Sequence, residues 1–530
     1  MAALNSIPNH LSVITSLTLR AIVIYFVRWL PLGPRYLPII YTIATLNFTA
    51  FAWQWRSKPR QSSGRPKSSP WRAILFGYFD RQHTLASFVS VCVNLVFLLA
   101  ALDFVFRSHF LHNATELSFS RVGYVDSNSA RIVVRSPLSL VVQIEYRPVQ
   151  NTNWIPGPIL PVITEGHDSV VTFTVSELQD DTAYLYRTNA SHLGSFRTTP
   201  LNPKRWTIVS TSCLKPFYPY NPFDHSLRIR GLEYLSDYVK STKADFILFL
   251  GDFIYIDLPY RFGWNKDAYY EAYRQVYSSP SWSSELLTLP WLHMYDDHEI
   301  TNDWSGNETG LFQEALPPYL DYHAQANPPA FRKGATYYTF SHGDVSFFVM
   351  DTRRYRSQSD MEDGPNKTML GDEQRHALEM WLETEKSWKV VVSGVPFTRN
   401  WRGPEANDSW AGYLHERQRL LEKMWATTGV IVLSGDRHEH ATTLFPSPEG
   451  KSNVIEFSTS PLSQFYQPFE RQYREIESTD VAIYSHPQGM SKFGSLTFDT
   501  SLPGILDLQF TLIVHGKGVW EYNWTLTESK

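Results

Sequence analysis

The chain has 530 residues, which is enough for several domains and a sizeable hydrophobic core. Its 48 basic and 52 acidic residues nearly balance, so no nucleic-acid-binding surface is evident from charge. Aromatic residues make up 15% of the sequence, which suits a β-rich body together with membrane-edge segments.

Three apolar segments occupy the first hundred residues: 11–30, 37–55 and 85–106. Each approaches the ~20 residues that a helix needs to cross a bilayer. A cleaved signal peptide is the alternative for the first segment, which carries Arg20 near its middle. No small-residue cleavage site follows it cleanly, however, and two further apolar segments come after it. Residues 1–110 are therefore expected to be a membrane anchor with about three transmembrane helices.

The loop between the second and third segments is strongly basic. It contains one acid, Asp80, against Arg56, Lys58, Arg60, Arg65, Lys67, Arg72 and Arg81. Because short basic loops stay in the cytosol, the third helix should emerge on the lumenal or extracellular side. The rest of the chain would then be an ectodomain.

Acceptor sequences for N-glycosylation support this orientation. Six Asn-x-Ser/Thr sequences fall in the supposed ectodomain, whereas the one at Asn47 lies in a predicted helix; the six are at Asn113, Asn189, Asn307, Asn366, Asn407 and Asn523. We therefore expect a glycoprotein of the secretory pathway, the vacuole or the cell surface, and the sequence leaves the compartment open.

Residues 111–200 are expected to form a small all-β domain. Short strand-like runs recur without helical periodicity, as in an antiparallel sandwich. The stretch 178–200, which ends in Phe-Arg-Thr-Thr-Pro, resembles the end of a fibronectin type III domain. Such a domain could equally be a spacer or a binding module.

From residue 201 to 530, strand patterns alternate with helical ones. The apolar run 246–250 breaks at Gly251 and is followed by Asp252 and Tyr255. Three other strand patterns lead into polar side chains in the same way, namely Cys213, the pair Asp297 and His298, and the pair Asp436 and His438. Because open α/β sheets bind ligands beyond the carboxyl ends of their strands, these side chains predict a site for a transition metal beside a harder cation.

The order of these motifs resembles that of a known family. Ser-Cys, Gly-Asp-x-x-Tyr, Asp-Asp-His-Glu, Met-Asp-Thr-Arg-x-Tyr-Arg and Ser-Gly-Asp-x-His occur in this sequence as they do in PhoD-like alkaline phosphatases. That family is a branch of the calcineurin-like metallophosphoesterases and is related to purple acid phosphatases. The resemblance covers about residues 115–526. It implies an α/β fold with two sheets packed as an αββα sandwich.

The resemblance also implies a set of ligands for two or more metal ions, Fe(III) and Ca²⁺ or another divalent cation. Cys213, Asp252, Tyr255 and His438 would form one group of ligands, and Asp252, Asp297 and Asp436 the other. Taken without the family, Cys213 has the alternative reading of a small buried hydrophobe and Tyr255 that of a core aromatic.

Catalytic and substrate-binding roles follow from the same likeness. His298 corresponds to the histidine that contacts the substrate and helps the leaving group depart, and Glu299 is expected to orient it. Asp252 has the position of the bridging carboxylate. Asn302 and Arg353 are candidate phosphate contacts, because an amide and a guanidinium both complement an anionic oxygen.

Two aromatic-rich insertions, at residues 257–288 and 461–493, are expected around the mouth of the site. Three residues beside the motifs depart from the family pattern: Leu214, Tyr295 and Arg437. They affect the expected substrate preference more than the expected activity.

These observations predict metal-dependent hydrolysis of a phosphate monoester or diester by a lumenal, membrane-anchored domain. The partners would be the bilayer and a phosphoester substrate, which could be linked to a lipid or a glycan. The alternative is a cell-surface recognition protein in which the phosphatase fold is vestigial.

Overall fold

The structure is a computed structural model that describes residues 2–57, 69–401, 406–448, 450, 452–466, 473–475 and 479–528. The chain divides into two compact units. The helical unit comprises Met1–His112, Pro219–Ser226 and Leu258–Arg261, and the β-rich unit comprises Asn113–Tyr218, Leu227–Asp257 and Phe262–Lys530.

The helical unit contains α1 (Ala2–Arg28), α2 (Gly33–Arg56), α3 (Pro70–Phe76) and α4 (Thr84–Leu111). In the described part of the chain, two segments are long and apolar enough to cross a membrane, His10–Arg28 and Arg81–Leu111. The predicted span 37–55 lies in α2, which is helical but does not reach the hydropathy of these two segments. The polar side chains of Asn47 and Gln54 account for part of this difference, and both are buried within the unit.

Arg20 is accommodated in the helical unit by a buried polar network centred on Asn94. The amide of Asn94 donates to Ser16 at 3.0 Å and to Asn47 at 2.9 Å, and its oxygen accepts from Arg20 Nε at 2.7 Å. Arg20 also donates to the carbonyl oxygens of Ile74 and Leu75, at the end of α3. Polar side chains in an apolar helical bundle require such partners, so this network explains how α1 tolerates an arginine.

The β-rich unit begins with seven antiparallel strands in two sheets. The sheet β1-β2-β5 faces the sheet β4-β3-β6-β7, and the strands are β1 (Phe119–Val125), β2 (Ala130–Arg135), β3 (Val141–Pro148), β4 (Ile155–Pro161), β5 (Val170–Val175), β6 (Ala183–Thr188) and β7 (Leu193–Arg197). Alternate residues such as Ile132, Ile144 and Phe173 fill the core between the sheets. This is the small sandwich that the sequence predicted, and the domain boundaries at 110 and 200 stay predictions.

The remainder is built on two larger sheets. The six-stranded sheet has the order β10-β9-β8-β18-β19-β20, and its strands are β8 (Arg205–Thr211), β9 (Phe246–Leu250), β10 (Trp291–Met294), β18 (Lys492–Asp499), β19 (Ile505–Val514) and β20 (Lys517–Thr527). The seven-stranded sheet has the order β11-β12-β13-β14-β16-β15-β17, and its strands are β11 (Tyr338–His342), β12 (Val345–Val349), β13 (Trp388–Val392), β14 (Val430–Ser434), β15 (His440–Phe445), β16 (Val454–Thr459) and β17 (Val481–His486).

Helices cover the outer faces of both sheets. One layer packs against β8 and β9, and the other packs against β12, β13 and β14. The helices are α5 (Arg230–Ser241), α6 (Lys266–Tyr277), α7 (Ser284–Thr288), α8 (Phe312–Tyr322), α9 (Gly371–Thr384) and α10 (Leu414–Trp425). Strands β8, β9 and β10 run parallel, and each residue of β9 is buried because both faces of the sheet are covered. The predicted αββα sandwich is therefore confirmed.

Both predicted insertions contain regular secondary structure. Residues 257–288 contain α6 and α7, and β17 lies within residues 461–493. Parts of the second insertion, 467–472 and 476–478, lie outside the described residues. Its first residues approach the predicted site, because the ring of Phe465 lies 4.7 Å from that of His438.

The core between the two sheets yields a stability prediction. Phe347 is fully buried, stacks on Phe340 at 4.5 Å and lies 6.1 Å from the Trp206 ring. Phe347→Ala should lower the free energy of unfolding of the β-rich unit by about 3–5 kcal/mol, because it leaves a cavity between the sheets. Phe331→Ala is the control, because this ring is 45% exposed and should cost less than about 2 kcal/mol. Urea unfolding measures both, and equal losses would contradict the assigned core.

Candidate metal centre

The predicted ligands converge where strands of both large sheets end. Cys213 follows β8, Asp252 follows β9, and Asp436 follows β14 of the other sheet. Backbone hydrogen bonds hold these segments together, because Cys213 N donates to Gly251 O at 3.1 Å and Asp436 N donates to Ser212 Oγ at 3.1 Å. The site therefore lies at the shared edge of the sandwich, beyond the carboxyl ends of the strands.

Four of the same residues adopt a strained backbone conformation. Cys213, Asp252, Asp436 and His438 all have positive φ, at 64°, 57°, 74° and 58°. Residues other than glycine adopt a positive φ only at an energetic cost. Residues held in such conformations often occur at functional sites. At position 251 only glycine fits, because a Cβ there would lie 2.7 Å from the backbone nitrogen of Asp296. These conformations turn the side chains back toward one another at the strand ends.

One group of ligand atoms contains a thiol, a phenol and an imidazole. The side chains of Cys213, Asp252 and His438 offer atoms within 4.8 Å of one another. Tyr255 joins them, because its hydroxyl donates to Asp252 Oδ2 at 3.0 Å and lies 3.2 Å from His438 Nε2. Burial, followed by the charge of His298, lowers the pKa of His438, which keeps its imidazole neutral as metal ligation requires.

The second group consists of carboxylates. Asp252, Asp296, Asp297 and Asp436 bring oxygen atoms within 4.8 Å of one another, and Asp252 is shared with the first group. Burial raises the pKa of Asp252, and the neighbouring charge of Asp297 raises it further. The pKa of Asp436 is also raised, chiefly by burial. Such a cluster stays ionised only beside a positive charge.

The side chains fit metal ions. Within the part of the chain that the structure describes, Asp297 Oδ1 and Asp436 Oδ2 are buried without a hydrogen-bond partner. Buried carboxylate oxygens are costly unless they are paired or coordinate a cation. The pKa of the Cys213 thiol is raised by burial and then by the carboxylates of Asp252 and Asp436, so a thiolate there also needs a cation. The donor set is therefore suited to metal ions, and the identity of the ions stays a prediction.

His298 is held beside this cluster by a residue that the sequence reasoning missed. Its Nδ1 lies 2.7 Å from Asp257 Oδ1, and its backbone N–H donates to Asp252 Oδ1 at 3.2 Å. Although burial opposes the change, the carboxylates of Asp257, Asp297 and Asp252 raise the pKa of His298. The signal for Asp257 was its position two residues after Tyr255, in the motif Gly-Asp-x-x-Tyr-x-Asp.

Glu299 does not have the predicted role of orienting His298. Its carboxylate accepts three backbone N–H groups, from Asp252 at 2.9 Å, Phe253 at 2.6 Å and Asp296 at 2.8 Å. Burial raises the pKa of Glu299 to about 8. Glu299 therefore joins the segments that follow β9 and β10, and Asp257 takes the orienting position.

Arg353 is not placed to bind phosphate as predicted. Its side chain is fully buried, and its guanidinium donates to both carboxylate oxygens of Asp296 and of Asp408, the latter at 2.7 and 2.8 Å. It also lies 3.6 Å from Asp297 Oδ1. The guanidinium is thus engaged by carboxylates and fixes the Asp296–Asp297 segment.

Asn302 remains a candidate for substrate contact. It is exposed and lies close to the site, because its backbone N–H donates to Asp257 Oδ2 at 2.8 Å. No side-chain hydrogen bond restrains its amide within the described contacts, so its role as a phosphate contact stays a prediction.

Comparison with known proteins places these motifs in a family. The sequence profile of the PhoD-like phosphatases matches residues 231–502, about half of the chain. The chain belongs to the PhoD-like phosphatase family. The profile region includes Asp252, Tyr255, Asp297, Asp436 and His438, whereas Cys213 precedes it.

Individual relatives agree with this assignment. Alkaline phosphatase D of Bacillus subtilis (strain 168) is 26% identical in an alignment of 317 positions, and the match covers 49% of this chain and 52% of that relative. The match thus spans about half the length of the curated relative. The solved structure of PhoD shares the fold, with a TM-score of 0.59 and 18% identity over 77% of this chain and 88% of that one. A purple acid phosphatase, PPD1 from yellow lupin (Lupinus luteus) seeds, gives a TM-score of 0.56 and 15% identity over 77% and 74% of the two chains.

The contacts of Arg353 in this PhoD-like phosphatase yield a prediction about stability. Arg353→Met should lower the free energy of unfolding by about 3–5 kcal/mol, because it leaves buried Asp296 and Asp408 without a counter-charge. Arg354→Met is the control; its partner Glu308 is half exposed, so the loss should be at most about 1 kcal/mol. Urea unfolding gives both values. If Arg353 instead contacts the substrate, Arg353→Met should raise KM without lowering stability. That result would restore the predicted role of Arg353 as a phosphate contact.

Proposed function

We propose that this chain is a metal-dependent phosphoric ester hydrolase anchored in a membrane. The observation that carries the proposal is the shared buried carboxylate cluster beside the His298–Asp257 pair. Among the described residues, one oxygen each of Asp297 and Asp436 in this cluster accepts no hydrogen bond. Membership of the PhoD-like phosphatase family supports the same reaction class.

The residues assigned to the metals are those that the sequence singled out. Cys213, Asp252, Tyr255 and His438 would hold iron, and Asp252, Asp297 and Asp436 would hold calcium or another divalent cation. When bound, such a metal pair lowers the pKa of a water nucleophile and neutralises the phosphoryl oxygens.

The chain itself supplies the proton for the leaving group. His298 has its Nδ1 against Asp257, which leaves Nε2 as the nitrogen that can face a substrate. Although burial opposes it, the carboxylate of Asp257 raises the pKa of His298 and so favours the protonated imidazole, which can donate to the departing oxygen. Asp257 acts as a positioning residue, since its carboxylate fixes the orientation of the ring.

The location of the protein is part of the proposal. We infer that α1, α2 and α4 cross a membrane and that the residues after α4 are lumenal or extracellular. The exposure of the acceptor sequences supports this orientation, because Asn189, Asn307, Asn366, Asn407 and Asn523 are exposed, whereas Asn47 is buried in the helical unit. The substrate would be a phosphomonoester or phosphodiester, and a membrane anchor makes a lipid- or glycan-linked ester accessible.

Two substitutions test the assigned chemistry. Asp252→Asn should reduce phosphoester hydrolysis to less than a tenth of the wild-type rate without unfolding the chain, because an amide is a poor shared ligand for two cations. His298→Ala should keep the metals and lower kcat by about 10²- to 10⁴-fold, because the proton donor is lost. Metal analysis and kinetics with a panel of phosphoesters measure both effects.

Asp245→Asn is the matched control. Asp245 is a partly buried acid that accepts a hydrogen bond from Thr207 N at 2.9 Å, and it lies before β9, at the opposite end of that strand. This variant should retain full activity. Wild-type chain that lacks activity on every phosphoester would favour the alternative, a recognition protein with a vestigial phosphatase fold. Equal loss of metal from Asp252→Asn and His298→Ala would show that His298 is a ligand.

The assignment of iron makes a spectroscopic prediction. A phenolate or thiolate bound to Fe(III) absorbs visible light by charge transfer, which a d¹⁰ zinc ion does not. The oxidised protein should therefore be coloured, and Tyr255→Phe should shift or bleach the band because only the coordinating oxygen is lost.

Tyr186→Phe is the control for the same chemical change. This buried tyrosine of β6 is bonded to Ser120 at 3.0 Å, in the small sandwich, and its loss should leave the spectrum unchanged. A colourless, fully active protein without iron would remove Tyr255 and Cys213 from the iron assignment.

A further inference from the structure

The helical unit includes two loops from the later part of the chain, 219–226 and 258–261, at the end where α4 terminates. Arg107 of α4 donates to the carbonyl oxygens of Pro222 at 3.0 Å and Asp224 at 3.1 Å. Ser108 donates to the carbonyl oxygen of Ser226 at 3.1 Å. The last turns of α4 therefore hold the loop 219–226 by its backbone.

The beginning of α2 holds the second loop. Gly33 N donates to Pro259 O at 2.7 Å, and a Cβ at Gly33 would lie 1.9 Å from the same oxygen. The approach is therefore one that only glycine permits. The ring of Tyr260 lies 6.4 Å from that of Phe106 in α4. Both loops are thus packed components of the helical unit.

Aromatic side chains mark both ends of this unit. At the end that carries the loops, Tyr25 lies 6.2 Å from Trp29 and 5.9 Å from Tyr36. At the other end, Trp55 lies 5.7 Å from Phe88 of α4 and is exposed. Aromatic belts of this kind lie at the two interfaces between a membrane and water.

The spacing of the two belts matches a bilayer. Phe88 contacts Trp55 at one end of the unit, and Phe106, 18 residues later in α4, contacts Tyr260 at the end that carries the loops. At 1.5 Å per residue the separation is about 27 Å, close to the ~30 Å thickness of the hydrocarbon core. Tyr260, which contacts Phe106, would therefore lie at the outer boundary of that core.

Large apolar side chains are exposed at this outer level. Phe223 at the tip of the first loop is 95% exposed, Phe110 near the end of α4 is 73% exposed, and Tyr260 is 39% exposed. In water this exposure is unfavourable, whereas at the boundary of headgroups and acyl chains it is favourable.

We infer that the loops 219–226 and 258–261, with the last turn of α4, form a surface that inserts into the outer leaflet of a lipid bilayer. Phe110, Phe223 and Tyr260 are its lipid-facing side chains. The inference rests on the proposed membrane anchor and not on the proposed hydrolysis. Its consequence is that Leu258, one peptide bond after Asp257, begins a segment held at the membrane interface.

The test uses the full-length chain in phosphatidylcholine vesicles and an environment-sensitive fluorophore on single cysteines. Cys92 of α4 is exposed and serves as the probe for the proposed span. In a Cys92→Ser background, Phe223→Cys carries the probe for the loop and Leu502→Cys, which is 58% exposed between β18 and β19, is the control in water. Cys213 is buried and is left unchanged.

Lipids spin-labelled near the headgroup should quench the probe at residue 223 at least about twofold more than the probe at residue 502, with a shift of its emission to shorter wavelength. Phe110→Cys should behave as Phe223→Cys does, which guards against a local effect of the label. If the probe at Cys92 is quenched but the probes at residues 110 and 223 are not, the helices cross the membrane but the loops do not insert into it. That result would overturn the inference. Absence of quenching at Cys92 would overturn both the anchor and the inference, and neither result depends on catalytic activity.

Discussion

The structure depends on the burial of four mutually repelling carboxylates at one edge of a two-sheet sandwich. Oxygen atoms of Asp252, Asp296, Asp297 and Asp436 lie within 4.8 Å of one another. At that separation each pair of like charges costs about 3–4 kcal/mol for an effective dielectric constant of ~20. Arg353 neutralises Asp296 and lies 3.6 Å from Asp297, and Arg437 lies 3.8 Å from Asp436. The protein thus neutralises the cluster only in part, and bound cations would offset the remaining negative charge. The binding of metal is thereby coupled to the stability of the site.

Much of the surrounding architecture serves to hold these charges in place. The positive φ of Cys213, Asp252, Asp436 and His438 is strain that persists because neighbouring contacts fix each segment. Glu299 does so through three backbone N–H groups, and Arg353 does so through Asp296 and Asp408. Arg353 was predicted to contact phosphate and Glu299 to orient His298, but in the structure both hold neighbouring backbone segments in place. His298 and Asp257 lie beside these residues, and this pair is suited to transfer a proton.

The convergence of the strand ends was predictable because open α/β sheets bind ligands beyond the carboxyl ends of their buried strands. The αββα arrangement of two sheets was implied by the resemblance to the phosphatase family. The sequence could not predict the partner of Arg353, because Asp408 comes 55 residues later in an irregular segment with no periodicity to place it. Asp257 was missed for a similar reason, since it lies in the turn after Tyr255 and not at a strand end. The packing of the loops 219–226 and 258–261 against α4 and α2 could not be predicted either. The helices contact the backbone carbonyl oxygens of these loops, and such contacts leave no pattern in the sequence.

The proposed metal site and the proposed hydrolysis both require that cations compensate the buried carboxylates. Elemental analysis of the purified full-length chain, before and after exhaustive chelation, measures this most directly. We predict at least two metal ions per chain. Their removal should lower both the unfolding temperature and the rate of phosphoester hydrolysis. A chain that remains equally stable and hydrolyses phosphoesters at an unchanged rate after complete removal of metal would contradict this prediction.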